Sequence, residues 1–388
     1  MEQEYLSRSL TPEFLSLQEE IHMAGSTYGT LFSITTWGES HGAGIGVVID
    51  GCPAGLSLSP SHIQDFLDRR KPGQSEFSTP RKEADAVQIL SGVFEGKTTG
   101  TPISLFVPNT NQHSGDYSKL ADVYRPGHAD YTFDRKYGFR DYRGGGRSSG
   151  RETIGRVAAG AVASRILNTL GISLCTYTSS IGPVSCDPLG FDPDQIRRNA
   201  LYMPDAEAAA RASEYIRQCM KEKDSIGGII ECRVTGLPAG LGDPVFRKLD
   251  ACLAQAVLSI GAVKGFEIGD GFQAAGNRGS ENNDPFCRRS DGSVGKQTNH
   301  AGGVLGGISD GDTLCFRAAV KPTPSIAQPQ QTVNREHQPC EITIGGRHDP
   351  VIVPRAVVVV ESMAAITILD LLMTNMSATM DYLLRIYR

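Results

Sequence analysis

The stretch from Arg143 to Thr153 reads Arg-Gly-Gly-Gly-Arg-Ser-Ser-Gly-Arg-Glu-Thr and runs directly into a helix-forming segment. Glycine loses more conformational freedom on folding than any other residue. Three in a row are therefore worth keeping only where the backbone must turn left-handed or be closely approached. Ser149 followed three residues later by Glu152 is a capping-box pattern, which points the first N–H groups of the next helix toward the glycines. An anion there would gain from those amides, from the helix dipole and from the forked guanidinium groups of Arg147 and Arg151. The segment is either a capped helix behind a flexible loop or an anion cradle, and its density of arginine favours the cradle.

Charge supports a small anionic ligand. The 388-residue chain carries a net charge of −5, which argues against general nucleic-acid binding. Yet Asp134 to Arg156 holds seven basic residues (Arg135, Lys136, Arg140, Arg143, Arg147, Arg151 and Arg156) against three acidic ones. The nine cysteines include no Cys-x-x-Cys pair, so they read as reduced thiols of a cytoplasmic protein, with no metal site. Met1 to His22 has no apolar core of a targeting signal and is expected to be a disordered extension ahead of a single domain, residues 23–388. Val351 to Met373 is apolar enough to raise the question of a membrane span, but Pro354, Arg355, Glu361 and Asp370 interrupt it. A buried or subunit-facing helix is the expectation.

Strands are expected at Thr30–Thr35, Ile45–Ile49, Val87–Phe94, Ile103–Val107, Ile172–Ile181, Ile226–Thr235 and Thr313–Lys321. Helices are expected from Pro60 to Lys71, Gly150 to Leu170, Asp205 to Lys221, Leu249 to Ile260 and Arg355 to Leu384. The small residues of the Gly150 helix suggest close packing on another helix. Gly276 to Gly307 is polar and glycine-rich and reads as a long functional or mobile loop. Strands and helices are interspersed without a glycine fingerprint after the first strand, which disfavours a doubly wound dinucleotide fold. Gly92 to Lys97 resembles a phosphate loop but is one residue short between its glycines, so a hairpin turn is expected instead.

Four polar clusters can carry chemistry: Gly38-Glu-Ser-His-Gly42, Arg125-Pro-Gly-His-Ala-Asp130, the glycine loop, and Gly346-Arg-His-Asp-Pro350. His41 and His128 sit in glycine-flanked loops and could exchange protons near neutral pH, or serve only as solvated or structural histidines. Asp349 is either a turn residue or a functional carboxylate. Lys321-Pro-Thr-Pro-Ser325 is a stiffened loop that could grip a ligand edge or merely end a strand. These residues point to an enzyme acting on a phosphorylated or carboxylated small molecule.

The same residues resemble the chorismate synthase family. Gly38 through Pro53, Gly146 through Val162, and Arg347 through Met363 match its three signatures in order, with Arg125–Asp130 and Lys321–Ser325 between them. The resemblance implies an α+β fold, a β-α-β sandwich with a helical layer between antiparallel sheets, assembled as a homotetramer. It implies a carbon–oxygen lyase of the shikimate pathway and aromatic amino acid biosynthesis. Such an enzyme makes chorismate from 5-enolpyruvylshikimate 3-phosphate by anti-1,4-elimination of phosphate and needs reduced FMN without net redox. Carried over, Arg70, Arg125 and Arg151 would bind substrate. His41 and His128 would supply protons, Ser40 and Ser149 would relay them, and Asp349 would stand near flavin N5. FMN would be held by Arg147, Ser148, Ser149, Ala262, Gly306, Lys321, Pro322, Thr323, Pro324, Ser325 and Arg347.

Several positions depart from the pattern. Gly261 replaces a common Asn, Glu76 an Arg tied to NADP(H) or substrate phosphate, and Gly150 an Ala, while Glu281–Arg289 looks inserted. Whether the flavin is reduced with NADPH by the chain itself or by an external reductant is left open. A catalytically silent flavin- or anion-binding protein on the same fold is the alternative that Glu76 and Gly261 motivate.

Overall fold

The computed structural model describes residues 25–79, 83–110, 120–345 and 348–388. The proposed N-terminal extension therefore lies outside the described residues. A first antiparallel sheet is built from β1 (Thr27–Tyr28), β2 (Ser33–Gly38), β3 (Gly44–Asp50), β4 (Gln88–Ile89) and β5 (Ile103–Pro108), in the order β1-β2-β3-β5-β4. Ile103, Leu105 and Val107 of β5 point inward and alternate with partly exposed neighbours, the period-2 pattern of a sheet with one covered face. The second sheet holds β6 (Ser173–Ile181), β7 (Val184–Ser185), β8 (Gly228–Thr235), β9 (Val263–Ile268) and β10 (Leu314–Val320), in the order β9-β10-β8-β6-β7. Leu314, Phe316, Ala318 and Val320 of β10 face the core in the same alternation.

The helices are α1 (Pro60–Arg70), α2 (Asp130–Tyr137), α3 (Thr153–Thr169), α4 (Ala206–Lys221), α5 (Leu249–Leu258), a short turn at Gly279–Asn282, then α6 (Val353–Asn375) and α7 (Met380–Tyr387). Helix α3 packs on strands of the first sheet, α6 packs on β6 and β8 of the second, and α3 and α6 pack on each other. Glycines make both close approaches possible. A Cβ on Gly160 would lie 2.2 Å from the Cβ of Ser362, and one on Gly155 would lie 3.1 Å from the Thr36 side chain. The small residues of α3 thus serve the close helix contact expected from the sequence.

Helix α6 is long and apolar enough to cross a membrane by length and composition, yet 17 of its residues are buried inside the protein. Its charges are spent on internal structure. Glu361 takes two hydrogen bonds from Arg69, at 2.8 and 2.6 Å. Asp370 Oδ1 accepts the N–H groups of Thr30, Leu31 and Phe32, at 3.0, 2.7 and 3.1 Å. Those three amides are therefore not in a ladder, which is why the expected strand at Thr30–Thr35 is displaced to Ser33–Gly38.

Other expectations are corrected. Pro354 lies in the first turn of α6, where a missing N–H costs nothing. The single C-terminal helix expected from Arg355 to Leu384 is two, because Thr379 accepts the Tyr382 N–H at 3.2 Å and caps a new one. Strand β9 was not anticipated. Val87–Phe94 is only a two-residue strand followed by a hairpin, Val93–Phe94 with Lys97–Thr98, and that hairpin contains the phosphate-loop look-alike. Gly276 to Gly307 is not structureless. It contains the Gly279–Asn282 turn and a hairpin of Phe286–Arg288 with Val294–Lys296, stapled by the buried Lys296 ammonium against Asp310 at 2.6 Å and Asp284 at 3.4 Å.

Candidate active site

Gly144, Gly145 and Gly146 all adopt left-handed backbone, with φ of +63°, +84° and +52°. Each would be strained with a side chain, so the triplet is there for its conformation. Its two sides are occupied by the two histidines. A Cβ on Gly144 would stand 2.3 Å from His41 Cε1, and one on Gly145 would stand 3.3 Å from His128 Cε1. The glycine loop is thus the wall between rings 87 positions apart in sequence, taking 128 minus 41.

Each ring is held from behind. His41 Nδ1 lies 3.0 Å from Ser40 Oγ, which donates to the Gly144 carbonyl at 3.4 Å. His128 Nδ1 lies 3.1 Å from Asp130 Oδ1 and 3.0 Å from Arg125 Nη2. A guanidinium only donates, so a proton on Nδ1 selects Asp130 as the partner and leaves Nε2 on the Gly145 side. Arg125 in turn donates to both Asp130 oxygens, at 2.7 and 2.8 Å. Burial would push the Asp130 carboxyl up, but hydrogen bonds from Arg125 and His128 hold it well below the usual carboxylate range.

After the glycines the chain makes two 3-10 turns before α3. The expected capping box does not form. Ser149 Oγ accepts from the Arg151 N–H at 3.3 Å, whereas Glu152 turns away to Thr36 Oγ1 at 3.0 Å and Arg156 at 2.8 Å. The 3-10 winding moves the amides that a box would need, and Glu152 finds charged and hydroxyl partners instead.

Arg70 is buried and uses its whole guanidinium: Asp85 at 2.8 Å, Thr153 Oγ1 at 3.0 Å and the Gly150 carbonyl at 3.1 Å. Burial, with Arg355 alongside, lowers it to about 10 despite Asp85. Arg151 donates to the other Asp85 oxygen at 3.1 Å and to Asn109 at 3.0 Å, and also contacts Glu83. One buried carboxylate therefore ties together the two arginines. Asp349 Oδ1 accepts the Thr79 N–H at 2.7 Å and Oδ2 pairs with Arg355. Arg147 reaches back to β2, donating to Thr36 Oγ1 at 2.7 Å and to the Gly38 carbonyl at 3.2 Å.

These groups border a cleft of about 1240 Å3. Arg70, Arg125, His128, Arg147, Ser148, Ser149, Ala262, Lys321, Thr323, Pro324, Ser325 and Asp349 all line it, as does Gly144, behind which His41 stands. Ser40, His41, Arg151 and Pro322 are not in the lining itself. Gly306 sits in the turn of the hairpin Val304–Leu305 with Ile308–Ser309 and is not a lining residue either. Arg347 lies outside the described residues. Ala262 has φ of +73°, a left-handed conformation that strains a side-chain-bearing residue, at the cleft wall. Glu76 is exposed and pairs with Arg217 of α4 at 2.8 Å.

Sequence reasoning missed Asp85, Glu83, Asn109, Arg355 and Lys264. Arg355 was visible only as a charge interrupting an apolar run, and Lys264 carries no local signal. Arg151, one of the basic residues counted along the chain, is neutralised in space by Asp85 and Glu83, which come from a different part of the sequence.

A cleft that gathers paired histidines, carboxylates and several cations on a mixed helix-and-sheet scaffold belongs to an enzyme that acts on a small molecule. Residues 32–373 match the family model described as chorismate synthase. The chain is 65% identical over 366 residues to the chorismate synthase of Agathobacter rectalis, covering 94% of this chain and all of that one. It is 55% identical over 360 residues to that of Chloroflexus aurantiacus, covering 93% and 98%. A solved crystal structure of chorismate synthase superposes with a TM-score of 0.73 at 31% identity, covering 93% of this chain and 97% of that one. The chain belongs to the chorismate synthase family.

Proposed function

We propose that this protein converts 5-enolpyruvylshikimate 3-phosphate to chorismate by anti-1,4-elimination, the final step of the shikimate pathway toward aromatic amino acids. The carbon–oxygen bond to phosphate breaks with its electron pair leaving on phosphate, a ring hydrogen is removed, and a ring double bond results, which makes the enzyme a lyase. The observation that carries this reading is the pair of histidines on either side of one glycine wall, His128 lining a cleft edged by arginines and His41 standing behind Gly144.

His128, backed by Asp130, is suited to hold a proton on Nδ1 and present Nε2, and Ser40 can pass a proton to or from His41. The substrate's phosphate and two carboxylates call for several cations. Arg70 and Arg125 face the cleft and Arg151 stands behind Arg70, held by Asp85. Ser149 is a second candidate relay.

A reduced FMN fits the residues present. The Thr323 hydroxyl is buried in the cleft wall without a hydrogen-bond partner, and the glycine loop lets a planar ligand approach backbone. Arg147, Ser148, Ser149, Ala262 and the Lys321–Ser325 loop would hold it, with Gly306 and Arg347 as the remaining candidates and Asp349 toward its reactive edge. When bound, the flavin would supply transient electron donation and a share in removing the hydrogen.

The sheet–helix–sheet order of contacts supports a β-α-β sandwich of family type. A cytoplasmic homotetramer is part of the same proposal, and NADPH remains one of two candidate sources of reducing equivalents. Anaerobic incubation with reduced FMN and 5-enolpyruvylshikimate 3-phosphate should yield chorismate and inorganic phosphate in equal amounts. Binding of both ligands without product would favour a silent flavin-binding protein and overturn the reading.

A further inference from the structure

Arg355 stands where a cation is disfavoured twice. It is the third residue of α6, at the positive end of that helix's dipole, in a first turn that holds no acidic residue. It also lies close enough to Arg70 to be, after burial, the strongest influence lowering that guanidinium. Its side chain is 22% exposed, so solvent screens these repulsions only in part.

Two contacts offset that cost, and both lead to cleft-lining residues. Arg355 Nη1 pairs with Asp349 Oδ2, and Arg355 Nε donates to the Arg70 carbonyl at 2.9 Å. Arg70 is the last residue of α1, so its carbonyl is one of the orphan acceptors at a helix C-terminus, the end that favours a cation. One guanidinium therefore spans the end of α1 and the Asp349 carboxylate.

Asp349 depends on that span. Its chain is anchored one residue later, where the Pro350 carbonyl accepts the Ile226 N–H at 2.9 Å and Val351 bridges Ile226. Its side chain is held by the Thr79 N–H at 2.7 Å on Oδ1 and by Arg355 on Oδ2. A carboxylate accepts at about four sites, so one protein bond on each oxygen leaves acceptor capacity for the cleft. A bond to Oδ1 alone would leave the terminal torsion of Asp349, which is broad by nature, unfixed.

We infer that Arg355 is a positioning residue: it acts through Asp349, fixing that carboxylate relative to the end of α1 that carries Arg70, and is not itself a ligand contact. The inference rests on the proposed function, in which Asp349 stands toward the reactive edge.

The test compares full-length wild type with Arg355→Gln, Arg355→Lys, Asp349→Asn and the Asp349→Asn/Arg355→Gln double variant. Chorismate formation, equilibrium binding of FMN and of 5-enolpyruvylshikimate 3-phosphate, and thermal unfolding are measured on each. Arg355→Gln should lower kcat by roughly 10- to 100-fold through misplacement of one group, with both affinities retained, and Arg355→Lys should recover most of the loss. The double variant should be no slower than Asp349→Asn, because residues that act as a unit are not additive. It should also melt above Arg355→Gln, since removing both charges strands neither. Additive losses in the double variant, weakened substrate binding with kcat unchanged in Arg355→Gln, or wild-type turnover by Asp349→Asn would overturn the inference. A wild type that makes no chorismate overturns instead the proposed function on which it rests.

Discussion

Arg70 and Asp85 form an ion pair at 2.8 Å whose side chains are 2% and 0% exposed. Asp85 adopts φ of +46°, unusual for a residue with a side chain, and burial pushes its carboxyl up against the pull of Arg70. The carboxylate spans Arg70 and Arg151, one on each oxygen. A buried pair is poor evidence of net stability, but removing one member strands the other charge in a dry setting.

Asp85→Ala is therefore expected to cost about 3–5 kcal/mol in denaturant unfolding, more than loss of an exposed pair. Asp85→Asn retains shape but keeps one accepting oxygen where the carboxylate has two, so one of Arg70 and Arg151 faces an amide N–H; it should raise the KM for substrate more than it lowers kcat. Unfolding curves that overlay those of the wild type for Asp85→Ala would show that Arg70 finds water or another partner.

Asp130 governs a pH dependence. Its folded value lies below the unfolded carboxylate value of about 3.9, so its stabilisation is fully present above that value and is lost as pH falls toward the folded value. Wild-type unfolding free energy should drop on acidification below about pH 5 more steeply than that of Asp130→Asn. The same variant should lower turnover by roughly 100-fold with flavin affinity retained, because His128 loses its Nδ1 partner. Parallel pH–stability curves for the two proteins would contradict this account.

The glycine wall predicts separable effects. Gly144→Ala places a methyl 2.3 Å from His41 Cε1 and 2.8 Å from Ser40 Oγ at a left-handed position. Overpacking and backbone strain together should destabilise by roughly 1–3 kcal/mol and displace His41. The His41 ring resonances should shift by NMR, with the His128 ring less affected; an undisturbed His41 spectrum would refute the contact.

Two helix glycines should respond in opposite directions. Gly160→Ala would drive a methyl to 2.2 Å from Ser362 between α3 and α6 and should lower Tm, at a cost on the order of 1–3 kcal/mol or more. Gly150→Ala meets nothing within 4 Å and has no left-handed requirement, so it should stabilise by about 0.4–1 kcal/mol. Thermal unfolding of the two variants side by side checks both signs.

Most elements could be read locally. The periodic pattern of α3, the alternation along β10 and the turn at Gly92–Lys97 follow from neighbouring residues, and each appears within a few residues of its expected place. Strand β9 escaped because Val263–Ile268 has only one fully buried residue and is defined by pairing with β10. The break between α6 and α7 escaped because Thr374–Thr379 contains no Gly or Pro to mark it, and the cap at Thr379 depends on one hydroxyl. The histidines, the glycine loop and the Lys321–Ser325 loop were legible because unusual residue types in unusual order mark them.

Sequence alone determined which segments bend, which alternate and which side chains can exchange protons or bind anions, since propensity and residue chemistry act over a few positions. It also carried the family signatures. Tertiary structure alone decided how those charges are matched. Asp85 and Glu83 neutralise Arg151 of the glycine-loop segment, Asp85 also holds Arg70 of α1, and a bulge aims Lys264 at the cleft, where among the described residues no carboxylate pairs with it. Coulombic and hydrogen-bond partners are chosen by distance in space, and residues 15 to 109 positions apart came within 3.2 Å here only because two sheets and the helices between them folded together.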